Sequence, residues 1–410
     1  MPYDGAPMSE LPNQAGTARV AVIGAGYVGL TTACCLASFG HKVVCGELDP
    51  AKVERLSRGE PTIYEEGLDE LLRSGLASGR LQFVQGAATA VAGAEVVFLC
   101  VPTPQQADGS AEVVDRLIGR ADVSVVSNPE FLREGTAIHD SFNPDRIVVG
   151  ADDPSAAAKV GALFASTGAP LLVTDATTAE TIKYACNAFL ATKLSFINAV
   201  ANLCETVGAD IRDVLLGMAY DHRIGFDYLR PGPGWGGSCL PKDTRALIYI
   251  AEQAGYDFRM LRSAIEANDH QLDSVVHKVR SGAGGDLSGR VVAQWGLAFK
   301  AGTDDLRDSP AVDVAARLLA EGARVQAYDP TLSGQRPGVP DGLQAHPDPY
   351  AACAGADVLV VLTEWDEFRW VDFDKVRDVM ATPYVVDARN LLDPGALRRL
   401  GFTYMGIGRR

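Results

Sequence analysis

An apolar run, Ala18–Ile23, leads directly into Gly24-Ala25-Gly26-Tyr27-Val28-Gly29. A stretch of helical character, Leu30–Phe39, follows, and a second apolar run, Lys42–Leu48, carries an acid at its end, Glu47. Three glycines at these offsets, between a strand and a helix, restrict the fold more than any other feature of the chain. The first allows a tight turn out of the strand, the second lets a ligand approach the backbone, and the third lets helix pack closely on strand. A helix starting there points its free N–H groups and its positive end at a pyrophosphate. An acid at the end of the second strand suits a ribose diol, so Glu47 favours NAD over NADP, a preference that Lys52 softens. A glycine-rich turn without a ligand is the competing reading, and the strand–turn–helix–strand–acid order weighs against it.

The alternation continues. Glu95–Val101 reads as a strand ending in Pro102-Thr103-Pro104, and Val123–Ser127 as another running into Asn128-Pro129-Glu130-Phe131-Leu132-Arg133-Glu134-Gly135. Strand ends of an open parallel sheet face the ligand crevice. From Thr178 to Val207 the pattern is helical and apolar most of the way round, as expected of an interdomain spine or dimer core. Lys183 and Asn187, four residues apart, share one face of it. A second helical region is expected from Asp243 to about Val279, then a Gly/Ser-rich linker at Ser281–Ser288. Strands at Val291–Leu297, Arg324–Tyr328, Val358–Leu362 and Tyr384–Asp387, with a helix at Pro310–Glu321, repeat the earlier rhythm without the glycine loop. The fold class is therefore α/β, with two Rossmann-like doubly wound domains joined by a long central helix or helical domain. The expected division is a tail over 1–17, a NAD-binding domain over 18–172, a central helical domain over 173–280 and a second nucleotide-type domain over 288–410.

A second motif carries chemistry. In Gly236-Gly237-Ser238-Cys239-Leu240-Pro241-Lys242-Asp243 a cysteine stands before an expected helix start. Pro241 fits the first helical position, and Asp243 suits the positive helix end. Lys242 adds to a field that favours the thiolate, and the paired glycines allow backbone or ligand to come close. A thiolate beside a dinucleotide adds to an aldehyde, gives up hydride and is left as a thioester, which a carboxylate hydrolyses through water. Lys183 or Asn187 would serve the developing oxyanion. Taken alone, Lys183 reads as a lysine snorkelling from an apolar helix; with Asn187 and Cys239 it does not. No metal is required, and the six histidines show no ligand spacing. A net charge of −15 argues against nucleic acid or anionic membrane as partner. The eight cysteines form no disulfide or zinc pattern. Met1–Thr17 lacks the order of a signal peptide, so a cytoplasmic protein is expected.

Read together, these motifs resemble the UDP-glucose/GDP-mannose dehydrogenase family. They are the GAGYVG loop, Val101-Pro102-Thr103-Pro104, the run Asn128–Ala137, Glu180–Asn187, Asp221–Gly225, Pro231–Trp235 running into GGSCLPKD, Gly296–Lys300, Asp304–Ser309 and Asp387-Ala388-Arg389. The resemblance implies a four-electron oxidation of the C6 alcohol of UDP-glucose to UDP-glucuronate with two NAD. A GDP-mannose or UDP-N-acetyl-hexosamine substrate, a one-step alcohol dehydrogenase and an inactive nucleotide-sugar-binding scaffold are the alternatives. It implies Cys239 as nucleophile, Lys183 as general base and oxyanion partner, Asn187 and Asp243 as water-positioning groups, and Glu130 as the carboxylate of thioester hydrolysis. Gly24, Gly26, Tyr27, Val28, Gly29, Glu47, Lys52, Thr103, Glu134, Lys242 and Arg307 would contact the cofactor. Phe131, Leu132, Arg133, Lys183, Tyr228, Leu229, Arg230, Pro231, Gly232, Gly236, Lys300 and Arg389 would contact a UDP-sugar, whose UDP moiety the C-terminal domain would hold. Arg223 would reach the neighbouring subunit of a homodimer or higher homo-oligomer.

The chain departs from the family at one place. After the VPTP segment the family continues with a further helix and strand. Here Asp108-Gly109-Ser110-Ala111 runs straight into Glu112-Val113-Val114-Asp115. Roughly 35–40 residues, about one helix and one strand of a doubly wound sheet, are missing relative to that pattern. Loss of an internal strand leaves backbone unpaired and apolar faces exposed. That favours a segment skipped in the numbering over a true deletion, and the Ala111–Glu112 Cα separation distinguishes the two.

Overall fold

The computed structural model describes residues 16–101, 123–332 and 337–409. Two compact units meet within the helix Ala176–Val207, between Lys183 and Tyr184.

The first unit holds β1 (Arg19–Ile23), β2 (Lys42–Glu47), β3 (Leu81–Gln85) and β4 (Val96–Leu99), parallel and in the order β3-β2-β1-β4. Val20, Ala21 and Val22 of β1 are fully buried, as expected of a central parallel strand covered on both faces. The helix Tyr27–Ser38 lies against it, with Leu30, Cys34 and Leu36 in the core beside Leu56, Leu68 and Leu72. Two further strands, β5 (Ile147–Gly150) and β6 (Leu171–Thr174), form a separate parallel pair.

The expected strand at Val123–Ser127 does not form. Only Ser127 pairs, through one antiparallel bridge to Gly150. Its apolar residues need a neighbour strand to complete a ladder, and among the described residues none lies there. The same lack marks β4, whose one described partner is β1. Val97 and Leu99 are 42% and 53% exposed, and Leu171 and Val173 of β6 are 47% and 50% exposed. These are interior-type sequences standing at sheet edges. Residues 102–122, which include Thr103 and the Ala111–Glu112 junction, lie outside the described residues.

The second unit contains one continuous six-stranded parallel sheet. Its strands are β7 (Val291–Trp295), β8 (Arg324–Tyr328), β9 (Gln344–Ala345), β10 (Val358–Val361), β11 (Tyr384–Asp387) and β12 (Thr403–Gly406). The order is β12-β11-β10-β7-β8-β9. The chain leaves β7 in one direction and returns to β10 on its other side, so the ligand crevice belongs at the carboxyl ends of these two strands.

The helical region expected over Asp243–Val279 is two helices, Leu240–Gln253 and Arg259–Gly282. They part at Gly255, whose φ of +73° ends the first. The second docks on the sheet: a Cβ on Gly282 would meet the Tyr384 ring at 2.6 Å. Leu272, Val275, Val276 and Val279 share one core with Ile197, Ala201, Val292, Val360 and Val386. The helical segment and the C-terminal sheet are therefore one folded body.

Candidate active site

The glycine loop has the geometry its spacing requires. Gly24 has φ +97°, and a Cβ there would lie 2.6 Å from the Cys100 carbonyl oxygen. A Cβ on Gly29 would sit 1.9 Å from the Gly24 oxygen, so helix and strand can meet this closely only without a side chain. A Cβ on Gly26 would meet nothing within 4 Å, leaving that face open to a ligand. The helix Tyr27–Ser38 begins with no side-chain cap and no acid in its first turn, so its amide donors are available to a phosphate. Glu47 ends β2 and accepts from Ala25 N–H at 3.1 Å, Leu48 N–H at 2.7 Å and Asp49 N–H at 3.1 Å. Burial opposes its charge, but these donors and the Lys52 ammonium outweigh it, holding the carboxyl below its ordinary range. The adenosine half of NAD fits these residues.

Glu130, Phe131 and Lys183 come together in the same unit. The Lys183 Nζ donates to Glu130 Oε1 at 2.9 Å and to the Glu130 carbonyl oxygen at 2.5 Å. The other carboxylate oxygen of Glu130 accepts from Leu132 N–H at 2.9 Å. The Phe131 ring lies under the Arg146 guanidinium at 3.5 Å, with Lys183 at 5.4 Å from its centroid. Arg133 forks onto Asp140, with Nε at 2.9 Å and an Nη at 2.6 Å. Burial pushes Asp140 upward, yet Arg133 and His139 hold it below the ordinary range. Glu134, half-buried, precedes Gly135, whose N–H donates to the Tyr27 hydroxyl at 2.6 Å.

In the second unit Cys239 is the N-cap residue of Leu240–Gln253. Pro241 is the second helical residue rather than the first. Asp243, 1% exposed, accepts from Lys242 Nζ and from Asn187 Nδ2, both at 2.5 Å. The Cys239 sulfur lies 3.5 Å from the Ser238 hydroxyl. Burial lowers the Lys242 ammonium, but Asp243 and the Cys239 sulfur outweigh that and raise it. Lys242 is thus held as a cation near the Cys239 sulfur at a helix N-terminus. Burial pushes the thiols of Cys35, Cys45, Cys100 and Cys353 up to about 12. The paired glycines bring backbone close. A Cβ on Gly236 would fall 1.9 Å from the Asp308 oxygen, and one on Gly237, at φ +82°, would touch the Phe299 ring at 2.8 Å. They seat the thiol loop on the chain's own 299–308 segment.

Arg389 and Gly232 lie at the crevice of the second sheet. Arg389, just past β11, donates from Nε to the Leu362 carbonyl at 2.8 Å and from an Nη to the Phe299 carbonyl at 2.9 Å. It also pairs with Glu364 at 3.0 Å. Gly232 packs on it, and a Cβ there would be 3.2 Å from the guanidinium. Gly232 N–H donates to Asn198 at 2.8 Å, and its carbonyl accepts from Gln271 at 2.7 Å. Trp235 is a loop anchor, its indole N–H on the Ser195 hydroxyl at 2.8 Å. Tyr228 takes a left-handed φ of +56°, Leu229 and Pro231 are buried and Arg230 is exposed. The Lys300 Nζ stands 5.6 Å from the Phe299 centroid. Arg223 and Arg307 fork onto Asp221 and Asp305 in their own loops. Arg146, Asp140, Ser238 and Asn198 were not singled out from sequence. Each acts through a neighbour, and only the DR pair before β5 offers a local hint.

A dinucleotide loop with its ribose-type acid, a second Rossmann-type sheet and a polarised thiol define the class: an NAD-binding oxidoreductase of two nucleotide-binding units. The comparisons narrow it. The NAD binding domain of the UDP-glucose/GDP-mannose dehydrogenase family matches residues 18–118 and 114–167, its central domain 177–270 and its UDP binding domain 293–394. The chain belongs to that family. It is 43% identical to the UDP-glucose 6-dehydrogenase of Rhizobium meliloti, over 95% of this chain and 99% of that one. It is also 43% identical to that of Pseudomonas aeruginosa, over 95% and 97%. The structure of a UDP-glucose dehydrogenase from Pyrobaculum islandicum superposes with a TM-score of 0.88 at 34% identity, covering 98% of this chain and all of that one.

The two sequence alignments extend over 434 and 441 residues, more than the 410 of this chain, although each covers 95% of it. The NAD-domain match also breaks in two at 114–118. The sequence thus lacks residues that these relatives have, and the Ala111–Glu112 junction, whose separation distinguishes a skipped segment from a deletion, lies outside the described residues.

Proposed function

We propose that the protein oxidises the C6 alcohol of UDP-glucose to the carboxylate of UDP-glucuronate in two steps. The observation that carries this reading is the Cys239–Lys242–Asp243–Asn187 cluster, in a chain 43% identical to UDP-glucose 6-dehydrogenases. NAD, when bound, accepts one hydride in each step. Lys183, steered by Glu130, takes the proton of the C6 hydroxyl as the aldehyde forms. The Cys239 thiolate adds to the aldehyde carbon, and Lys183 and Asn187 stabilise the oxyanion of the thiohemiacetal. Loss of the second hydride leaves a thioester on Cys239. Asn187 and Asp243 orient a water, Glu130 removes its proton, and the C–S bond breaks to release the carboxylate. Lys300 and Arg389 face the UDP moiety, Phe131–Arg133 and Tyr228–Gly232 the sugar, and Glu134, Lys242, Arg307 and Thr103 the cofactor. In this reading 18–172 holds NAD, 173–280 carries the thiol loop, and 288–410 holds UDP.

A homodimer follows from the central helix. Phe189, Phe196 and Leu203 recur every seven residues on its surface and are 68%, 56% and 58% exposed. A second copy would cover them and bring Arg223 to the neighbouring site. No described helix is long and apolar enough to cross a membrane, and we place the protein in the cytoplasm.

Among the described residues β4 has a partner on one side only, which favours a second reading, a nucleotide-sugar-binding protein without turnover. NADH stoichiometry separates them. The first reading expects two NADH per UDP-glucose, and Cys239→Ser should abolish the second NADH and the UDP-glucuronate while UDP-glucose binding persists. One NADH with free aldehyde would indicate single-step oxidation, and binding without NADH would establish the scaffold. A panel with GDP-mannose and UDP-N-acetyl-hexosamines tests the sugar.

A further inference from the structure

Glu65 belongs to none of the groups above, yet its side chain is enclosed, with the residue only 7% exposed. Its carboxylate reaches a segment 70 residues on. One oxygen accepts from Gly135 N–H at 2.6 Å, the other from Ala137 N–H at 2.7 Å, with Ile138 N–H at 3.5 Å from the latter. The helix Ala137–Phe142 needs these acceptors, because its N-cap, Thr136, makes no side-chain cap bond. The Gly135 N–H is shared, since the Tyr27 hydroxyl accepts from it as well at 2.6 Å. Tyr27 opens the helix that follows the glycine loop. A buried carboxylate and the dinucleotide loop therefore grip one amide, directly after Glu134 and five residues past Glu130.

We propose that Glu65 is a positioning residue that fixes the Glu130–Glu134 segment and ties its placement to the occupancy of the dinucleotide loop. The proposal rests on the NAD reading of that loop. Backbone N–H bonds to a carboxylate are stronger than neutral ones, and an enclosed acceptor leaves little freedom. The segment's far side is clamped by Arg133 on Asp140. Gly135, where Tyr27 and Glu65 meet, is the point at which a shift of the loop passes to the two glutamates. A plain helix cap would stabilise the first unit but would not make this segment respond to a dinucleotide.

Backbone amide exchange on the full chain, with and without NAD, tests this, with UDP binding as the control. In Glu65→Gln one of two acceptor oxygens becomes an NH2 group. Exchange at Gly135 or Ala137, whichever amide meets the NH2 group, should quicken by about tenfold, the loss of one such bond. NAD should slow exchange over Gly135–Ile138 in the wild type and not in Glu65→Gln, while UDP affinity stays unchanged. Tyr27→Phe should quicken Gly135 alone and weaken the NAD response. Wild-type exchange in Glu65→Gln, or an undiminished NAD response, would overturn the proposal. Should Glu65→Gln not fold, Glu65→Asp, which keeps the charge but shortens the reach, must show the same loss of response. If NAD leaves the wild type unaffected, the coupling fails; if NAD also does not bind, the cofactor reading fails with it, whereas quickened exchange in Glu65→Gln still supports the anchoring of the segment.

Discussion

β4 and β10 hold the same place in two copies of one sheet order, next to the first strand and across the topological switch. Their sequences are equally apolar, VVFL and VLVV. Every residue of β10 is fully buried, and the strand pairs with β7 on one side and β11 on the other. Among the described residues β4 pairs with β1 alone, and its alternate residues Val97 and Leu99 are about half exposed. An apolar run specifies a strand fit for an interior, but whether it is interior depends on a neighbour elsewhere in the chain. The second unit has that neighbour, and the first, among the described residues, does not.

The largest effect should come from supplying it. Inserting a relative's helix and strand between Ala111 and Glu112 should raise the first unit's stability by several kcal/mol, about 1.5–3 kcal/mol for each large apolar side chain newly enclosed. NAD affinity should rise at least about tenfold, since the sheet gains a strand whose end faces the crevice. Calorimetry and an NAD titration check both, and unchanged values would break the comparison.

Truncation sharpens it next. Val360→Ala should cost about 2–3 kcal/mol through lost burial and a cavity, whereas Val97→Ala should stay within about 0.5–1 kcal/mol. Urea unfolding of the two variants measures the difference, and equal costs would mean that Val97 is covered in solution.

Smaller and opposite responses to acid are expected. The folded values of Glu47 and Asp140 are lowered. Their contribution is fully present above the ordinary carboxylate range and is lost as pH falls through the lowered values. Burial raises Asp387, at the end of β11, despite donors from the Leu392 amide and the Tyr404 hydroxyl. Folding then takes up a proton there, so its strain is relieved as pH falls toward the ordinary range. Mild acidification should therefore raise amide protection, taken relative to the intrinsic exchange rate at each pH, in β11 while leaving that of the Glu130–Asp140 segment unchanged, and stronger acid should loosen that segment. Asp387→Asn should remove the β11 response, and a response that survives would point to another group.

The parts legible in sequence were those whose physics is local. Gly24 and Gly29 need positive φ or close approach wherever they stand, and Cys239, Pro241 and Asp243 announce a helix start by adjacency alone. The Gly255 break and the Gly236–Asp308 contact were not legible, because each depends on what the following chain packs against.

Sequence by itself determined the two strand–helix alternations, the dinucleotide loop, the thiol at a helix start and the place where the family pattern is interrupted. These are set by backbone conformation, capping and periodicity within a few residues. Only the tertiary structure decided that Val123–Ser127 is not a strand and that Glu65 anchors Gly135. It alone decided that the helical segment shares a core with the second sheet and that, among the described residues, β5 and β6 pair apart from β1–β4. Each of those depends on ladder partners and buried acceptors far away along the chain, which no local pattern encodes.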